Sequence, residues 1–355
     1  MKPLNIAIAG LRFGRTWLSG FRNHPACHVV KLCDSDLEVL ERSGRESGVE
    51  DLVDDLEAVV ADPNVDCVAV FTPAPLHAQH SVLALRGGKH VLSAVPAAIS
   101  EEGCRDICEA ARTSGKTYMM AENWPYEPSI IRARELFHRG DLGTLFYGEA
   151  EYIHHTEKLW FDKEGNPTWR FSLAPMLYPT HGLGPFLHMT GDRFTEVTAF
   201  SVAGDKPPGA EPGRSWLETA MLRSERGVLF KLLNSFCNAH PGGHYLSLYG
   251  DRGSFETGRG RKARSKVHHW KAGGEGDEMT EESHDYPPLP PYVSGMGSHA
   301  GPAVSIIEDF VASIQKQLPS PIGPILAAKM TLPGIAALES IKSGTTVAVP
   351  DPSSW

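Results

Sequence analysis

The sequence contains little cysteine and no paired cysteine motif: six of its 355 residues are cysteines, and none forms a C-x-x-C arrangement. A disulfide scaffold and a cysteine-based zinc site are therefore not expected, and reduced thiols in the cytoplasm are the simplest interpretation. No run approaches the ~18 apolar residues of a membrane-spanning helix. The chain enters its first predicted strand without a basic and apolar leader. We therefore expect a cytoplasmic protein that does not bind membranes.

Blocks of basic residues are also missing. The net charge is −9, and the short basic cluster at 259–266 lies in a Gly-rich stretch that we predict to be an exposed loop. A nucleic-acid-binding protein presents a basic surface, so nucleic acid is not an expected partner. A hydrophobic content of 41% and a charged content of 22% are typical of globular proteins. The length suffices for two domains.

The first twenty residues predict a strand, a glycine turn and a helix. An apolar run ends at Gly10, and an apolar periodic segment follows from about Phe13. Such a turn aims free backbone N–H groups at a pyrophosphate. The G-x-G-x-x-G fingerprint is incomplete, because Arg12 and Arg15 replace two glycines and Gly14 stands one position early. An ordinary βα turn remains the alternative interpretation.

A second apolar run from His28 ends at Asp34. An acidic residue at the end of the second strand is typical of a carboxylate that binds the adenosine ribose. This predicts NAD rather than NADP, since a carboxylate would repel a 2′-phosphate. The alternative is a turn aspartate that opens the segment Asp34-Ser35-Asp36.

The first 122 residues alternate strands with helices, which indicates βαβ units and a doubly wound parallel sheet. Predicted helices lie at 52–61, 77–86 and 101–114, and predicted strands at 65–71, 90–92 and 116–121. We therefore predict a Rossmann dinucleotide-binding domain at 1–122.

Residues 123–355 show a different pattern, with stretches of alternating polarity that are typical of a half-buried antiparallel sheet. We predict strands at 145–155, 196–202, 216–223, 228–236 and 245–250, a loop at 287–291, and helices at 302–315 and 327–342. The fold class is thus α/β, with a second α/β domain built on a mostly antiparallel open sheet. The last helix is expected to pack back on the Rossmann domain.

Several motifs resemble those of the Gfo/Idh/MocA oxidoreductase family over nearly the whole chain. They are the glycine turn, Thr72-Pro73 followed by His77, residues 88–91 (Gly-Lys-His-Val), 249–254 (Tyr-Gly-Asp-Arg-Gly-Ser), 307–310 (Ile-Glu-Asp-Phe) and 333–337 (Pro-Gly-Ile-Ala-Ala). The resemblance implies NAD(P) on the N-terminal domain and a sugar or polyol on the second domain. It also implies a homodimer or homotetramer formed through the second sheet.

One branch of this family is more similar than the rest. Residues 93–98 (Ser-Ala-Val-Pro-Ala-Ala) stand where the family usually reads Glu-Lys-Pro, and residues 178–185 read Tyr-Pro-Thr-His-Gly-Leu-Gly-Pro. These segments resemble the NAD-dependent glycosidases that release N-acetylgalactosamine. The loss of the lysine and Arg12 in the glycine turn are the observations that favour a non-catalytic sugar- or nucleotide-binding protein instead.

Residues that follow strands of a parallel sheet meet at its carboxyl edge, where ligands bind. The expected cofactor-binding residues combine this edge with the family motifs: Gly10, Arg12, Phe13, Gly14, Arg15, Asp34, Thr72, Pro73, His77, Ala94, Val95, Glu122 and Asn123. For Asn123, capping of a helix is the alternative role.

Tyr178 and His181 are the expected catalytic pair. Oxidation of a sugar carbinol needs a group that accepts the hydroxyl proton, and histidine titrates near neutral pH. A spacing of three residues places both side chains on one face of a helical turn, with Pro179 in its first turn. A structural, hydrogen-bonded histidine is the alternative for His181.

The remaining candidates are substrate-binding residues. We expect Tyr126, His154, Trp169, Arg170, Thr180 and His299 to contact the sugar, although surface packing is an equal alternative for Trp169 and Arg170. No metal is expected, because Pro241-Gly242-Gly243 prevents a helix that would present His240 and His244 together.

Together these features predict an NAD(P)-dependent oxidoreductase that acts on a sugar, polyol or glycoside by hydride transfer. A redox-assisted glycosidase that oxidises, eliminates, hydrates and reduces its substrate is the alternative within the same chemistry. Such an enzyme recycles its NAD and does not need a pair of catalytic carboxylates.

Overall fold

The computed structural model describes residues 2–203, 215–240, 242–259, 264–269, 278–283 and 300–355. The chain forms two compact units, each discontinuous in sequence. The first combines Met1–Tyr126 with Tyr286–Ala328 and Pro352–Trp355, and the second combines Glu127–Asp285 with Lys329–Asp351. The predicted domains, by contrast, were continuous segments.

The first unit contains a parallel sheet of six described strands in the order β3-β2-β1-β4-β5-β6. This is the strand order of a Rossmann fold, with its switch point between β1 and β4. The predicted fold class is confirmed for this part. The strands are β1 (Leu4–Ala9), β2 (Cys27–Cys33), β3 (Leu52–Val53), β4 (Cys67–Val70), β5 (His90–Ser93) and β6 (Tyr118–Met120).

Helices cover this sheet because each has one apolar face. In α1 (Leu11–Asn23) that face contains Leu11, Trp17 and Phe21, all buried. The other helices of this unit are α2 (Leu37–Ser47), α3 (Leu56–Ala61), α4 (His77–Arg86), α5 (Glu101–Ser114) and α9 (Ala300–Gln315). The apolar residues of α9 between 303 and 311 join the same core cluster as α1.

The predicted helix at 52–61 is wrong in its first half. Leu52–Val53 pairs with β2 as β3, and α3 begins only at Leu56. The physical reason lies in Asp55, whose carboxylate accepts hydrogen bonds from the N–H groups of Glu57 and Ala58. Such an N-cap starts a helix and leaves the preceding residues extended.

The second unit is built on a mostly antiparallel sheet of nine described strands, in the order β14-β13-β12-β11-β7-β10-β9-β8-β15. Only β7 and β10 pair in parallel among these described strands. The strands are β7 (Leu145–Ile153), β8 (Phe194–Ala203), β9 (Ser215–Ser224), β10 (Leu229–Ser235), β11 (Gly243–Gly250), β12 (Gly253–Glu256), β13 (Ser265–His269), β14 (Glu278–Glu282) and β15 (Val347–Ala348).

The central strands of this sheet bury one face and leave the other open, as alternating polarity predicts. Ala150 and Tyr152 of β7 are buried, whereas Glu149 and Glu151 between and beside them are partly exposed. Helix α8 packs against the buried face of β7, β10 and β11. The other described helices of this part are α6 (Pro128–Arg139), α7 (Trp169–Ser172), α8 (Thr180–Thr190) and α10 (Pro324–Ser343).

At its two described ends the basic cluster at 259–266 is an exposed bend at Arg259, as predicted, and a strand rather than a loop at Lys266. Arg259 pairs with Glu151 and lies over the ring of Tyr245, and Lys266 lies in β13 and pairs with Glu256. These positive charges are thus matched by carboxylates of neighbouring strands. The predicted loop at 287–291 lies outside the described residues. Among the described helices, none has the length and apolar character needed to cross a membrane.

Candidate functional site

The glycine turn of the first unit has the geometry that a dinucleotide needs. Gly10 has a φ of 87° and directly precedes α1. A Cβ on Gly10 would collide with the carbonyl group of Phe71 at the end of β4. Only glycine combines this left-handed conformation with so close an approach of two chain segments. The helix starts at Leu11, two residues earlier than predicted.

Asp34 lies at the carboxyl end of β2, beside this turn. Its Oδ2 accepts a hydrogen bond of 2.6 Å from the Leu11 N–H, and its Oδ1 accepts one of 2.9 Å from the Asp36 N–H. The carboxylate therefore sits at the positive end of the α1 dipole. Because a carboxylate has about four lone-pair positions, these two contacts leave acceptor capacity for a ribose hydroxyl.

The two arginines that replace fingerprint glycines form ion pairs with carboxylates of the same unit. Arg12 Nη2 lies 2.6 Å from Asp36 Oδ2, and Arg15 Nη1 lies 3.8 Å from Glu46 Oε2. As the N-cap of α2, Asp36 accepts a hydrogen bond from the Val39 N–H, which lowers the pKa of Asp36, and the ion pair with Arg12 lowers it further. Phe13 makes edge contacts with the rings of Trp17 and Phe71.

His77 ties two loops at the carboxyl edge of the sheet together. Its Nδ1 lies 2.7 Å from the Pro96 carbonyl oxygen, and its Nε2 lies 2.7 Å from the Thr72 carbonyl oxygen. The Thr72 hydroxyl lies 2.9 Å from Nδ1 of His80. Burial of His80 lowers the pKa of its ring. These contacts hold the Thr72–Pro73 and Ala94–Val95 segments beside one another.

Glu122, Asn123 and Tyr126 follow β6 at the same edge. Glu122 is fully buried, and its Oε1 accepts a hydrogen bond from the Trp124 N–H. The Tyr126 hydroxyl donates to Asp309 of α9 over 2.9 Å. The Asn123 side chain does not cap a helix through its Oδ1, which has no hydrogen-bond partner among the described residues.

The second unit contains a cluster of aromatic and histidine rings on the buried side of its sheet. Tyr152 is at its centre: its ring centroid lies 4.6 Å from that of His181, 5.0 Å from that of His244 and 6.3 Å from that of Tyr178. Tyr178 and His181 are 6.0 Å apart by the same measure. We call Tyr152, Tyr178, His181, Phe236 and His244 the ring cluster.

Tyr178 and His181 come together differently from the prediction. A 3-10 turn (Pro175–Leu177) precedes Tyr178, and α8 begins at Thr180, so Tyr178 lies before the helix rather than on it. Pro179 occupies the cap position. The two rings meet because the chain turns immediately before the helix. Tyr178 is 8% exposed and His181 is 9% exposed.

A hydrogen bond links the ring cluster to one predicted substrate residue. Tyr152 Oη and His154 Nδ1 are 3.0 Å apart, although His154 follows the last residue of β7. Thr180 is fully buried at the start of α8, and its hydroxyl has no hydrogen-bond partner among the described residues. The geometry therefore places His154 and Thr180 beside the catalytic candidates.

Two other substrate candidates contact a different group of residues. The guanidinium group of Arg170 lies 4.3 Å from the ring centroid of Trp169. Both belong to α7, whose Phe171 packs with Trp160 and Cys237 in a small separate core cluster. His299 lies outside the described residues. Among the described residues, no three histidine, cysteine or acidic side chains are grouped to hold a metal ion.

Most of the first unit's N-terminal segment matches a known protein family. The family described as "Oxidoreductase family, NAD-binding Rossmann fold" (Gfo/Idh/MocA) matches residues 4–122. These residues form a Gfo/Idh/MocA domain. The predicted family and its NAD-binding character are confirmed for this segment of the chain.

Curated relatives extend the likeness beyond the Gfo/Idh/MocA domain. A glycosyl hydrolase family 109 protein of Saccharopolyspora erythraea is 24% identical over 96% of this chain and 81% of its own length. An alpha-N-acetylgalactosaminidase of Shewanella oneidensis is 35% identical, but over only 39% of this chain and 32% of its own length. The chain is thus similar to the branch that its residues 93–98 and 178–185 had indicated.

Solved structures show the same fold over the whole chain. An oxidoreductase domain protein from Kribbella flavida matches with a TM-score of 0.83 at 20% identity, covering 99% of this chain and 100% of that chain. A levoglucosan dehydrogenase in complex with NADH and levoglucosan matches with a TM-score of 0.83, also at 20% identity, covering 98% of this chain and 100% of that chain. The chain therefore shares the fold of these two proteins.

The residues of the Gfo/Idh/MocA domain fit NAD. The turn at Gly10 has no room for a side chain, and the Asp34 carboxylate lies beside the turn with acceptor capacity left over. The individual contacts predicted for Gly10, Arg12, Phe13, Gly14, Arg15, Asp34, Thr72, Pro73, His77, Ala94, Val95, Glu122 and Asn123 stay predictions.

Sequence reasoning missed part of the second unit's site. Tyr152, Phe236 and His244 were not among its candidates, and neither were Glu218 and Asn234, two buried polar residues. The alternation of β9 and β10 carried a usable signal, because it places Glu218 on the face of buried Ala220, and Asn234 on that of buried Leu232. A polar residue on the core face of a strand needs a buried partner.

Proposed function

We propose that this protein is an NAD-dependent oxidoreductase that acts on a sugar, polyol or glycoside, with His181 and Tyr178 as its acid/base pair. The observation that carries the proposal is the ring cluster, which brings a histidine and two tyrosines together on a chain whose N-terminal domain is of the NAD-binding type. When bound, NAD supplies a hydride acceptor. The chain must then supply the proton acceptor and the sugar-binding surface.

The ring cluster has the groups for both tasks. His181 accepts the hydroxyl proton, and Tyr178, with its ring 6.0 Å away, hydrogen-bonds the same hydroxyl and orients it. The ring of Tyr152 packs against His181, and its hydroxyl is hydrogen-bonded to His154. Aromatic rings with polar groups at their edge suit a sugar, which has apolar C–H faces and hydroxyl edges.

Redox-assisted glycoside cleavage is the second candidate function. The family 109 relative, aligned over 96% of this chain, favours it. Oxidation of the sugar at C3 makes the C2–H acidic, so that a base can remove it while the aglycone leaves. Water is then added and the sugar is reduced, with no net change in the cofactor. His181 and Tyr178 would serve as the acid and base of the proton transfers.

The two functions differ in their products. We would incubate the protein and NAD with levoglucosan and, separately, with nitrophenyl α-N-acetylgalactosaminide, probes chosen from the names of the similar proteins. A dehydrogenase forms NADH in proportion to the sugar consumed. A redox glycosidase releases nitrophenol without net NADH and exchanges the C2 hydrogen with deuterated solvent.

Two variants connect the activity to the ring cluster. His181→Gln and Tyr178→Phe should each lower kcat by about 10²- to 10⁴-fold, the usual contribution of general acid–base catalysis, while NADH binding is retained. His268→Gln, on β13 of the same sheet, is the control and should keep full activity. A protein that binds NAD(H) but converts neither probe would be the non-catalytic sugar- or nucleotide-binding protein that is the alternative to an enzyme.

The assembly and compartment proposed for the protein have independent support. Phe200 and Val202 of β8 and Met221 of β9 share the open face of the second sheet and are 69%, 58% and 43% exposed, respectively. Exposed apolar side chains in a group indicate an interface, and we infer a homodimer or homotetramer through this sheet. Phe200→Glu should reduce the molar mass measured by light scattering.

All six cysteines are buried free thiols, which suits a reducing compartment such as the cytoplasm.

A further inference from the structure

Glu218 of β9 and Asn234 of β10 form a buried polar pair beneath the ring cluster. They are directly opposite each other in the antiparallel ladder, so their side chains point to the same face of the sheet. Glu218 is 2% exposed and Asn234 is fully buried. Two such residues on the core face carry a desolvation cost unless they are hydrogen-bonded.

Both side chains bind the backbone of one short segment. Asn234 Nδ2 donates to the carbonyl oxygens of Pro175 (3.0 Å) and Tyr178 (2.9 Å). Glu218 Oε2 accepts a hydrogen bond of 2.5 Å from the Met176 N–H. The pair thus anchors both ends and the middle of the 3-10 turn that leads into Tyr178 and α8.

A third contact leaves this turn little room to move. A Cβ on Gly334 of α10 would collide with the Met176 carbonyl oxygen, so the helix backbone lies directly against the turn. The turn is therefore held from the sheet by side chains and from α10 by close packing. A shift of the turn would therefore move Tyr178, which directly follows it, and His181, which lies three residues further along the chain.

We propose that Glu218 and Asn234 are positioning residues, which set the orientation of Tyr178 and His181 by holding the Pro175–Tyr178 backbone. This inference rests on the proposed function for its catalytic consequence, but the positioning itself is a structural claim. A misplacement of about 1 Å at a catalytic group can cost about 100-fold in rate. Loss of the pair should therefore affect kcat more than KM.

Glu218 has to accept a hydrogen bond in this position, but it does not have to be charged. Burial raises the pKa of Glu218 above its ordinary value, while the hydrogen bond from Met176 opposes this shift. An amide oxygen in the same place can accept the same hydrogen bond. Glu218→Gln should therefore retain the position of the turn, whereas Glu218→Leu removes the acceptor and leaves a buried N–H unpaired.

The test uses the full chain and two independent readouts. One is kcat and KM with the two probes above, and the other is NMR of the His181 ring with isotope-labelled histidine, combined with amide exchange at Met176. Asn234→Ala and Glu218→Leu should lower kcat about 10- to 100-fold, shift the His181 ring signals and speed Met176 exchange. Glu218→Gln should stay near wild type in every readout.

Ser224→Ala is the matched control, because Ser224 is also buried on β9 and accepts a hydrogen bond from the Val228 N–H, away from the turn. Equal losses of kcat in Ser224→Ala and Asn234→Ala would overturn the proposal. So would unchanged His181 signals in Glu218→Leu. If Asn234→Ala does not fold, Asn234→Ser, which donates only once, takes its place.

Failure of the proposed function gives a different result. A wild-type protein that converts neither probe contradicts the enzyme assignment, while the His181 signals and Met176 exchange still decide whether the pair holds the turn.

Discussion

The carbonyl group of Phe71 occupies the space that a Cβ on Gly10 would need. Gly10 also has a φ of 87°, which costs a residue with a side chain about 1–2 kcal/mol. The two penalties act together at the point where β1 enters α1. Glycine is therefore required at this position for two reasons: the residues that follow β4 approach it closely, and the turn needs a positive φ.

Gly10→Ala should destabilise the first unit by more than the conformational cost alone and abolish NADH binding, because the turn and the β4 loop must separate. Urea unfolding and NADH fluorescence titration measure the two effects. Gly48→Ala is the control, since Gly48 has a φ of 73° but no atom within 4 Å of its added Cβ. Similar losses in both variants would show that the Phe71 contact is unimportant.

Asp34→Ala should weaken NADH binding by about 10- to 100-fold, the value of one hydrogen bond to a charged group. It should weaken NADPH binding much less, because the variant also removes a repulsive charge. The ratio of the two Kd values is the measurement. Asp55→Ala also removes a carboxylate that binds helix N–H groups in this unit, and should leave the ratio unchanged. A ratio unchanged in Asp34→Ala would contradict the ribose assignment.

His90 should make the first unit sensitive to acid. Burial lowers its pKa from 6.5 to about 4, with a further contribution from Lys116. Its Nδ1 accepts a hydrogen bond of 3.0 Å from the Thr117 N–H, which a protonated ring could not accept. The unfolded chain therefore binds a proton that the folded chain does not bind. Stability is thus unaffected by His90 above pH 6.5 and falls as the pH drops from 6.5 to about 4.

The corresponding variant is His90→Gln, whose amide oxygen can still accept from Thr117 but takes up no proton. Its urea midpoint should fall less steeply than that of the wild type over the same pH interval. Parallel curves for the two proteins would exclude His90 as a source of the acid sensitivity.

Tyr152→Phe separates the ring of Tyr152 from its hydroxyl. The variant keeps the packing against His181 and His244 but loses the hydrogen bond to His154. A hydrogen bond of about 1 kcal/mol corresponds to a loss of kcat/KM of roughly fivefold. Thermal unfolding should change little. Tyr147→Phe removes a hydroxyl bonded to Glu149 on the open face of the same strand and serves as the control.

Local patterns in the chain were enough to predict the parallel sheet of the first unit. The apolar run before Gly10, the acid after β2 and the alternation of strands and helices are signals that lie within about twenty residues of one another. They report backbone preferences and burial, which neighbouring residues set. The family motifs then indicated the cofactor. The exception, at 52–61, arose where the Asp55 cap decided the start of α3 against an apolar pattern that fits a strand and a helix equally well.

The ring cluster could be predicted only in part. His181 and Tyr178 were found because they are close in sequence, and His154 was among the predicted sugar-binding residues. His244 joins them from β11 and Phe236 from the residue that follows β10. Glu218 lies opposite Asn234 only because of the register between β9 and β10. Register between strands depends on the packing of whole faces and on loop geometry, so it is absent from any short stretch of sequence. Tertiary structure therefore decided which polar residues surround the catalytic candidates and what holds them in place.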